Sequence, residues 1–171
     1  SAMRKEVDRC REALARARSG DDVALLCSGD AGVYGMAGLV LELAHEEGAA
    51  PSVEIVPGVT AANAAGASLG APLMLDYAVV SLSDLLVPWE TICHRLDCLA
   101  RADMPVVLYN PRSKGRTKQI EVARSIFLAH RPRTTHVAVV TAASTEDETR
   151  AVSDLDRFLP LESGMRSEVV V

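Results

Sequence analysis

Aromatic residues are scarce in this chain, 4% of 171 positions, with one tryptophan, three tyrosines and two phenylalanines. So few rings cannot lay out the stacking platform that holds single-stranded nucleic acid. Net positive charge is lacking too: the formal charge is −5, the wrong sign for a partner made of phosphates. Long apolar runs are missing, since none reaches the roughly 20 residues of a membrane-spanning helix. No charged-then-apolar leader opens the sequence. The expectation is a soluble, cytoplasmic protein without a nucleic-acid or membrane partner. Cys10, Cys27, Cys93 and Cys98 include no C-x-x-C pair, and His45, His94, His130 and His136 lie far apart. That spacing argues against a metal site and predicts buried, reduced thiols at all four cysteines.

What is abundant is aliphatic. Hydrophobic residues make up 49% of the chain, enough for a real core in one domain of ordinary size or two small ones. Apolar residues at helical spacing predict helices over Arg4 to Ser19, over Met36 to Ala44, from Thr60 through an alanine-rich run, from Pro88 past Leu99, and from Thr117 to Ala129. Short apolar runs predict strands at Val23 to Cys27, Val53 to Val56, Tyr77 to Leu82, Pro105 to Tyr109 and His136 to Thr141. Further strands are expected at Arg150 to Ser153 and from Glu168 onward. The strand–helix–strand order of the first half predicts a parallel sheet. Gly70-Ala71-Pro72 interrupts the pattern, which sets the expected domains at 1–75 and 76–171, both α/β.

Two glycine-bearing turns stand out. Ser28-Gly29-Asp30-Ala31-Gly32-Val33-Tyr34-Gly35-Met36 closes a predicted strand and opens a helix, and Ile55-Val56-Pro57-Gly58-Val59-Thr60-Ala61 repeats the logic. Glycines let backbone turn sharply and approach a ligand closely, and two such turns at one sheet edge make a crevice. Gly29 and Gly32 are three apart, which disfavours the G-x-G-x-x-G of a nicotinamide site. A third segment, Asn110 to Lys118, carries four cations and no acid. A solvated loop is its bland reading, but loops after parallel strands face the ligand crevice and can gather an anion. In Ser81-Leu82-Ser83-Asp84-Leu85-Leu86-Val87-Pro88-Trp89-Glu90, the bland reading is helix capping by Ser83 or Asp84.

Taken together, SGDAGVYGMAGLVLEL, VPGVTAANAAGASLGAPL, SLSDLLVPWE and LYNPRS resemble the precorrin-3B C(17)-methyltransferases of the tetrapyrrole methylase superfamily, over nearly everything from Met3 onward. The resemblance implies two α/β domains with S-adenosylmethionine in the cleft between them, S-adenosylhomocysteine as product, and methylation of carbon 17 of a tetrapyrrole with ring contraction. It implies cofactor contacts at Gly29, Asp30, Val33, Thr60, Ala61 and Asn110. Asp84 is the candidate catalytic group, and Ser83, Arg112, Lys114 and Arg116 are candidates for holding a macrocycle fringed with carboxylates. A homodimer is the expected assembly. The family's opening strand and G-x-G-P-G loop have no counterpart in this sequence, and Thr141-Ala142-Ala143-Ser144-Thr145 stands where an Arg-Asn-Ala-Gly-Arg-like run is usual. The chain is therefore expected to have an incomplete first domain, weak cofactor binding, little methyl transfer, and self-association through its first half. The alternatives are a methylase of another ring position and a non-catalytic remnant of the fold.

Overall fold

The computed structural model describes residues 5–48, 51–113 and 115–171. The chain packs as two compact units that divide between Thr60 and Ala61. The sequence placed its domain boundary after residue 75; the alanine-rich helix at 61–68 packs within the second unit.

In the first unit, α1 (Glu6–Arg18) buries Cys10 and Leu14, one helical turn apart. Glu6 and Asp8 in its first turn and Arg16 and Arg18 in its last complement the helix dipole. Helix α2 (Ala37–Glu46) buries Ala37, Val40, Leu43 and Ala44. A small core forms where Cys10 and Leu14 meet Met36, Val40 and Leu43, and an ion pair joins Arg18 to Glu47. The expected strands Val23 to Cys27 and Val53 to Val56 do not form: among the described residues of this unit no β-ladder is present. A strand exists only through a neighbour's backbone hydrogen bonds, and apolar composition alone does not provide that neighbour. Both segments instead wall an apolar cavity of about 470 Å³, with Leu14 and Val40 on its helical side. Leu26 and Val56 are left exposed.

The second unit is built on a five-stranded sheet in the order β1 (Ala78–Ser81), β2 (Val106–Tyr109), β5 (Ser167–Val170), β3 (His136–Thr141), β4 (Thr149–Asp154). Only β1 and β2 run parallel, because α4 (Trp89–Arg101) connects them; the other pairs are antiparallel. Helices α4 and α5 (Gln119–Leu128) cover one face. There Ile92, Leu96, Ile120 and Phe127 pack on Val80, Leu108, Val139 and Val169. On the other face, α3 (Ala61–Ser68) brings Ala62 onto Val107, Tyr109 and Val170. The alanines permit this close approach, and Gly66 leaves room for Leu73 beside the helix. Arg131 fastens the far end: its guanidinium donates to the carbonyls of Leu99, Ala100, Met104 and Val171 while stacking 5.0 Å from the Phe127 ring centroid.

Two smaller expectations need correction. Pro88 is the N-cap of α4, which has no side-chain cap, so neither Ser83 nor Asp84 caps that helix. Of the four cysteines only Cys10 is buried; Cys27 and Cys93 are partly exposed and Cys98 is exposed, the last because it lies off the stripe of Ile92, Leu96 and Ala100 that α4 turns inward.

Candidate functional site

The two glycine turns are joined by one side chain. Asp30 Oδ1 accepts the Gly32 N–H at 2.8 Å within its own turn. Its Oδ2 accepts the Gly58 N–H at 2.9 Å, from 28 residues further along the chain. These backbone hydrogen bonds, Gly58's foremost, hold the Asp30 carboxyl below its ordinary pKa. Gly29 adopts φ +76°, a conformation that disfavours a side chain. Any Cβ on Gly58 would collide with the Gly29 carbonyl. The turns therefore meet backbone to backbone at Gly29 and Gly58. Val33 closes the first turn through its N–H to the Asp30 carbonyl at 3.4 Å and keeps an exposed side chain. The Ala37 N–H reaches the Ala31 carbonyl at 3.0 Å and starts α2 directly after the turn. Sequence reading found Asp30 but not its partner, since nothing local links it to Gly58.

In the second unit, the groups picked from the sequence gather after the carboxyl ends of β1 and β2. Asn110 follows β2 in the left-handed region, φ +53°, and its Nδ2 donates to Ser81 Oγ at 3.0 Å. The same hydroxyl accepts the Ser83 N–H at 3.2 Å. This triangle ties the segment after β1 to the segment after β2. Asp84 is exposed on that segment beside Leu85 and Leu86, whose apolar side chains are also exposed. Ala61 is the first residue of α3, directly after Thr60.

The cationic segment is an ordered structure rather than a free brush of charge. Arg116 donates to the Asn110 carbonyl at 2.8 Å, and Ser113 and Arg116 exchange backbone hydrogen bonds. Arg112 donates to the Leu159 carbonyl at 2.7 Å. Each guanidinium keeps donors beyond those already used, and Arg116 Nε is enclosed without a partner. Lys114 lies outside the described residues. Arg112 also borders an open cavity of about 650 Å³ whose wall includes Thr141, Ser167 and Arg166. Thr141-Ala142-Ala143-Ser144-Thr145 forms a tight turn with Ala142 and Ser144 at positive φ. It is closed by Thr145 Oγ1 donating to the Ala142 carbonyl and by the Ser144 N–H donating to Glu148.

Two groups beside this cluster escaped the sequence reading. The Ala62 N–H donates to the Tyr109 hydroxyl at 2.6 Å, linking α3 to β2. Glu168 is buried in β5, where burial pushes its carboxyl up to about 7. A lone acid in the otherwise apolar run Glu168-Val169-Val170-Val171 was the available signal.

Among the described residues, no group of three or more His, Cys, Asp or Glu side chains could hold a metal, and no helix is long and apolar enough to cross a membrane. The arrangement offers main-chain groups in the first unit and oriented amides, hydroxyls and guanidinium groups in the second. Such groups are suited to positioning a polar small molecule.

Known proteins resemble this chain in sequence and fold. The chain is 42% identical over 174 residues to the probable cobalt-factor III C(17)-methyltransferase of Salmonella typhimurium, covering 100% of this chain and 71% of that one. It is 43% identical over 175 residues to the cobalt-factor III methyltransferase of Priestia megaterium, again over its whole length, but spans only 32% of that relative. The crystal structure of the methyltransferase CobJ matches all of this chain and 72% of its own, at 35% identity and a TM-score of 0.92. Residues 2–158 match the Tetrapyrrole (Corrin/Porphyrin) Methylases, and with whole-chain likeness to named members, the chain belongs to that family.

Proposed function

We propose that this chain carries out S-adenosylmethionine-dependent methylation of carbon 17 of precorrin-3B or its cobalt form, with contraction of the macrocycle, in cobalamin biosynthesis. The observation that carries the reading is the pair of glycine turns stapled by Asp30, in a chain whose whole length matches relatives named for that carbon. The residues fit the cofactor: Gly29 and Gly58 meet too closely for a Cβ between them, so the two turns present main-chain groups where they join.

When bound, S-adenosylmethionine supplies an electrophilic sulfonium methyl group and its own leaving group. The protein's task is then to orient two partners and exclude water, which accounts for the shortage of candidate bases. In the first unit, Gly29, Val33 and Thr60 hold the cofactor; in the second, Ala61 and Asn110 are the candidates for contact with it. Asp30 acts by keeping the two turns together, since its oxygens already serve Gly32 and Gly58. The macrocycle's acetates and propionates pair with the donors left on Arg112 and Arg116 and with Lys114. Ser83 and Asp84 supply the polar groups for the proton transfers of ring contraction, with Leu85 and Leu86 available to the ring's apolar face. The assembly is a homodimer, by far the commonest symmetric state.

Incubating the protein with methyl-labelled S-adenosylmethionine and either tetrapyrrole tests the reading. Label at carbon 17 of a contracted ring, by mass and NMR, is the expected result. Label at another carbon transfers the assignment to a methylase of a different position, and absence of transfer removes the enzymatic reading.

A further inference from the structure

The central strand of the second unit buries a carboxyl group that the protein itself does not use. Glu168 lies opposite Tyr109 of β2 and Val140 of β3 and is 8% exposed. Residues paired across neighbouring strands share a face of the sheet. Ser81, Tyr109, Glu168, Val140 and Arg150 therefore form one row, on the side that carries α3.

The polar neighbours in that row are engaged. Ser81 Oγ takes the Asn110 amide, the Tyr109 hydroxyl takes the Ala62 N–H, and Arg150 donates to the Ser68 carbonyl. Glu148 accepts from the Ser68 hydroxyl at 2.5 Å. The Glu168 side chain makes no hydrogen bond or ion pair with any described residue, and its oxygens are not wholly enclosed, unlike Arg116 Nε. Burying a carboxyl without a partner is a large penalty, and here it falls at the carboxyl ends of two parallel strands, the end at which such sheets hold ligands.

We propose that Glu168 is a ligand-facing carboxyl, which pairs with an N–H or O–H donor of the small molecule held after β1 and β2. This rests on the methyltransferase reading, in which both possible ligands carry such donors: the amino and hydroxyl groups of the cofactor and the pyrrole N–H groups of the macrocycle. A donor brought to this carboxyl favours its ionised form, so binding near pH 7 releases a proton. The titratable and charged groups around it are Tyr109 of β2, Arg150 of β4 and Glu148 beside α3. Of these, Glu148 is held below its ordinary range by the Ser68 and Ser144 hydrogen bonds and so stays ionised throughout.

The test is calorimetric titration of the protein and of its Glu168→Gln and Glu168→Leu variants, with S-adenosylhomocysteine in one arm and the tetrapyrrole in the other. Each runs at pH 7 in two buffers of different ionisation enthalpy. The expected result is proton release on binding by the parent, its loss in Glu168→Gln, and binding about tenfold weaker in Glu168→Leu. The arm that changes identifies which molecule brings the donor. Parent-like affinity and proton release in Glu168→Gln overturn the proposal, and that near-isostere decides the matter if Glu168→Leu does not fold. A parent that binds neither molecule overturns the methyltransferase reading and this proposal together, whereas a parent that binds alongside indifferent variants overturns this proposal alone.

Discussion

The two units solve opposite problems. The second concentrates its stability in a five-stranded sheet packed on both faces, with Leu96, Val107, Phe127, Val137 and Val140 wholly buried. The first has a six-residue buried core, no β-ladder among its described residues, and two apolar segments along a cavity. Its most exacting geometry lies in a turn, where Asp30 spans two glycine-bearing segments. The contrast teaches that order in this protein has two sources. One is bulk burial, which tolerates conservative exchange; the other is backbone contact, which does not tolerate a single added carbon.

The largest expected effect on binding follows from that difference. Gly58→Ala forces a methyl group into the Gly29 carbonyl and moves the N–H that Asp30 accepts. S-adenosylhomocysteine affinity should fall about 100-fold, roughly 2.7 kcal/mol, while hydrogen exchange of β2, β3 and β5 stays as in the parent. A loss of protection across the sheet would show that the units are not separable in this way.

A change in the second unit should do the reverse, altering stability with a defined pH signature. Burial raises the Glu168 carboxyl from 4.5 to about 7, which corresponds to about 3 kcal/mol. A raised carboxyl binds its proton more tightly when folded. The protein's stability from this group is therefore complete below pH 4.5, declines between 4.5 and 7, and is lowest above 7. Glu168→Gln should match the parent in urea denaturation near pH 4.5 and exceed it by about that amount at pH 8. Equal stability at both pH values would mean that the carboxyl finds a partner in solution.

The smallest effect belongs to the cationic segment. Replacing Arg112 and Arg116 together by Ala should raise the tetrapyrrole concentration needed for half-maximal turnover several-fold at low salt, with the difference shrinking as the Debye length contracts below about 8 Å. Kinetics that match the parent's at every salt concentration would leave the two guanidinium groups a purely structural role at Asn110 and Leu159.

Helices could be read from the sequence because their signal is local. Cys10 with Leu14, or Ile92 with Leu96, repeats within one turn. The strands of the second unit could be read because each apolar run there has neighbours to pair with. The same kind of run at Val23 to Cys27 failed, since pairing is a property of the partner and not of the run. Gly29, Asp30 and Gly58 announced a tight turn by residue type, yet the bond between Asp30 and Gly58 spans 28 positions and leaves no local trace. Arg112 and Arg116 read as free charge because nothing in the sequence shows that the Leu159 and Asn110 carbonyls need donors. Glu168 was visible only as an oddity in an apolar strand. Its row with Tyr109 and Ser81 required the register of three strands.

The central claim is that the stapled turns of the first unit hold the cofactor, and hydrogen exchange with and without S-adenosylhomocysteine tests it most directly. The account predicts ligand-induced protection at residues 28–35 and 56–60, abolished by Gly58→Ala, with the amides of β3 and β4 unchanged. Saturating ligand that leaves those turns unprotected, in a protein that demonstrably binds it, would contradict the account.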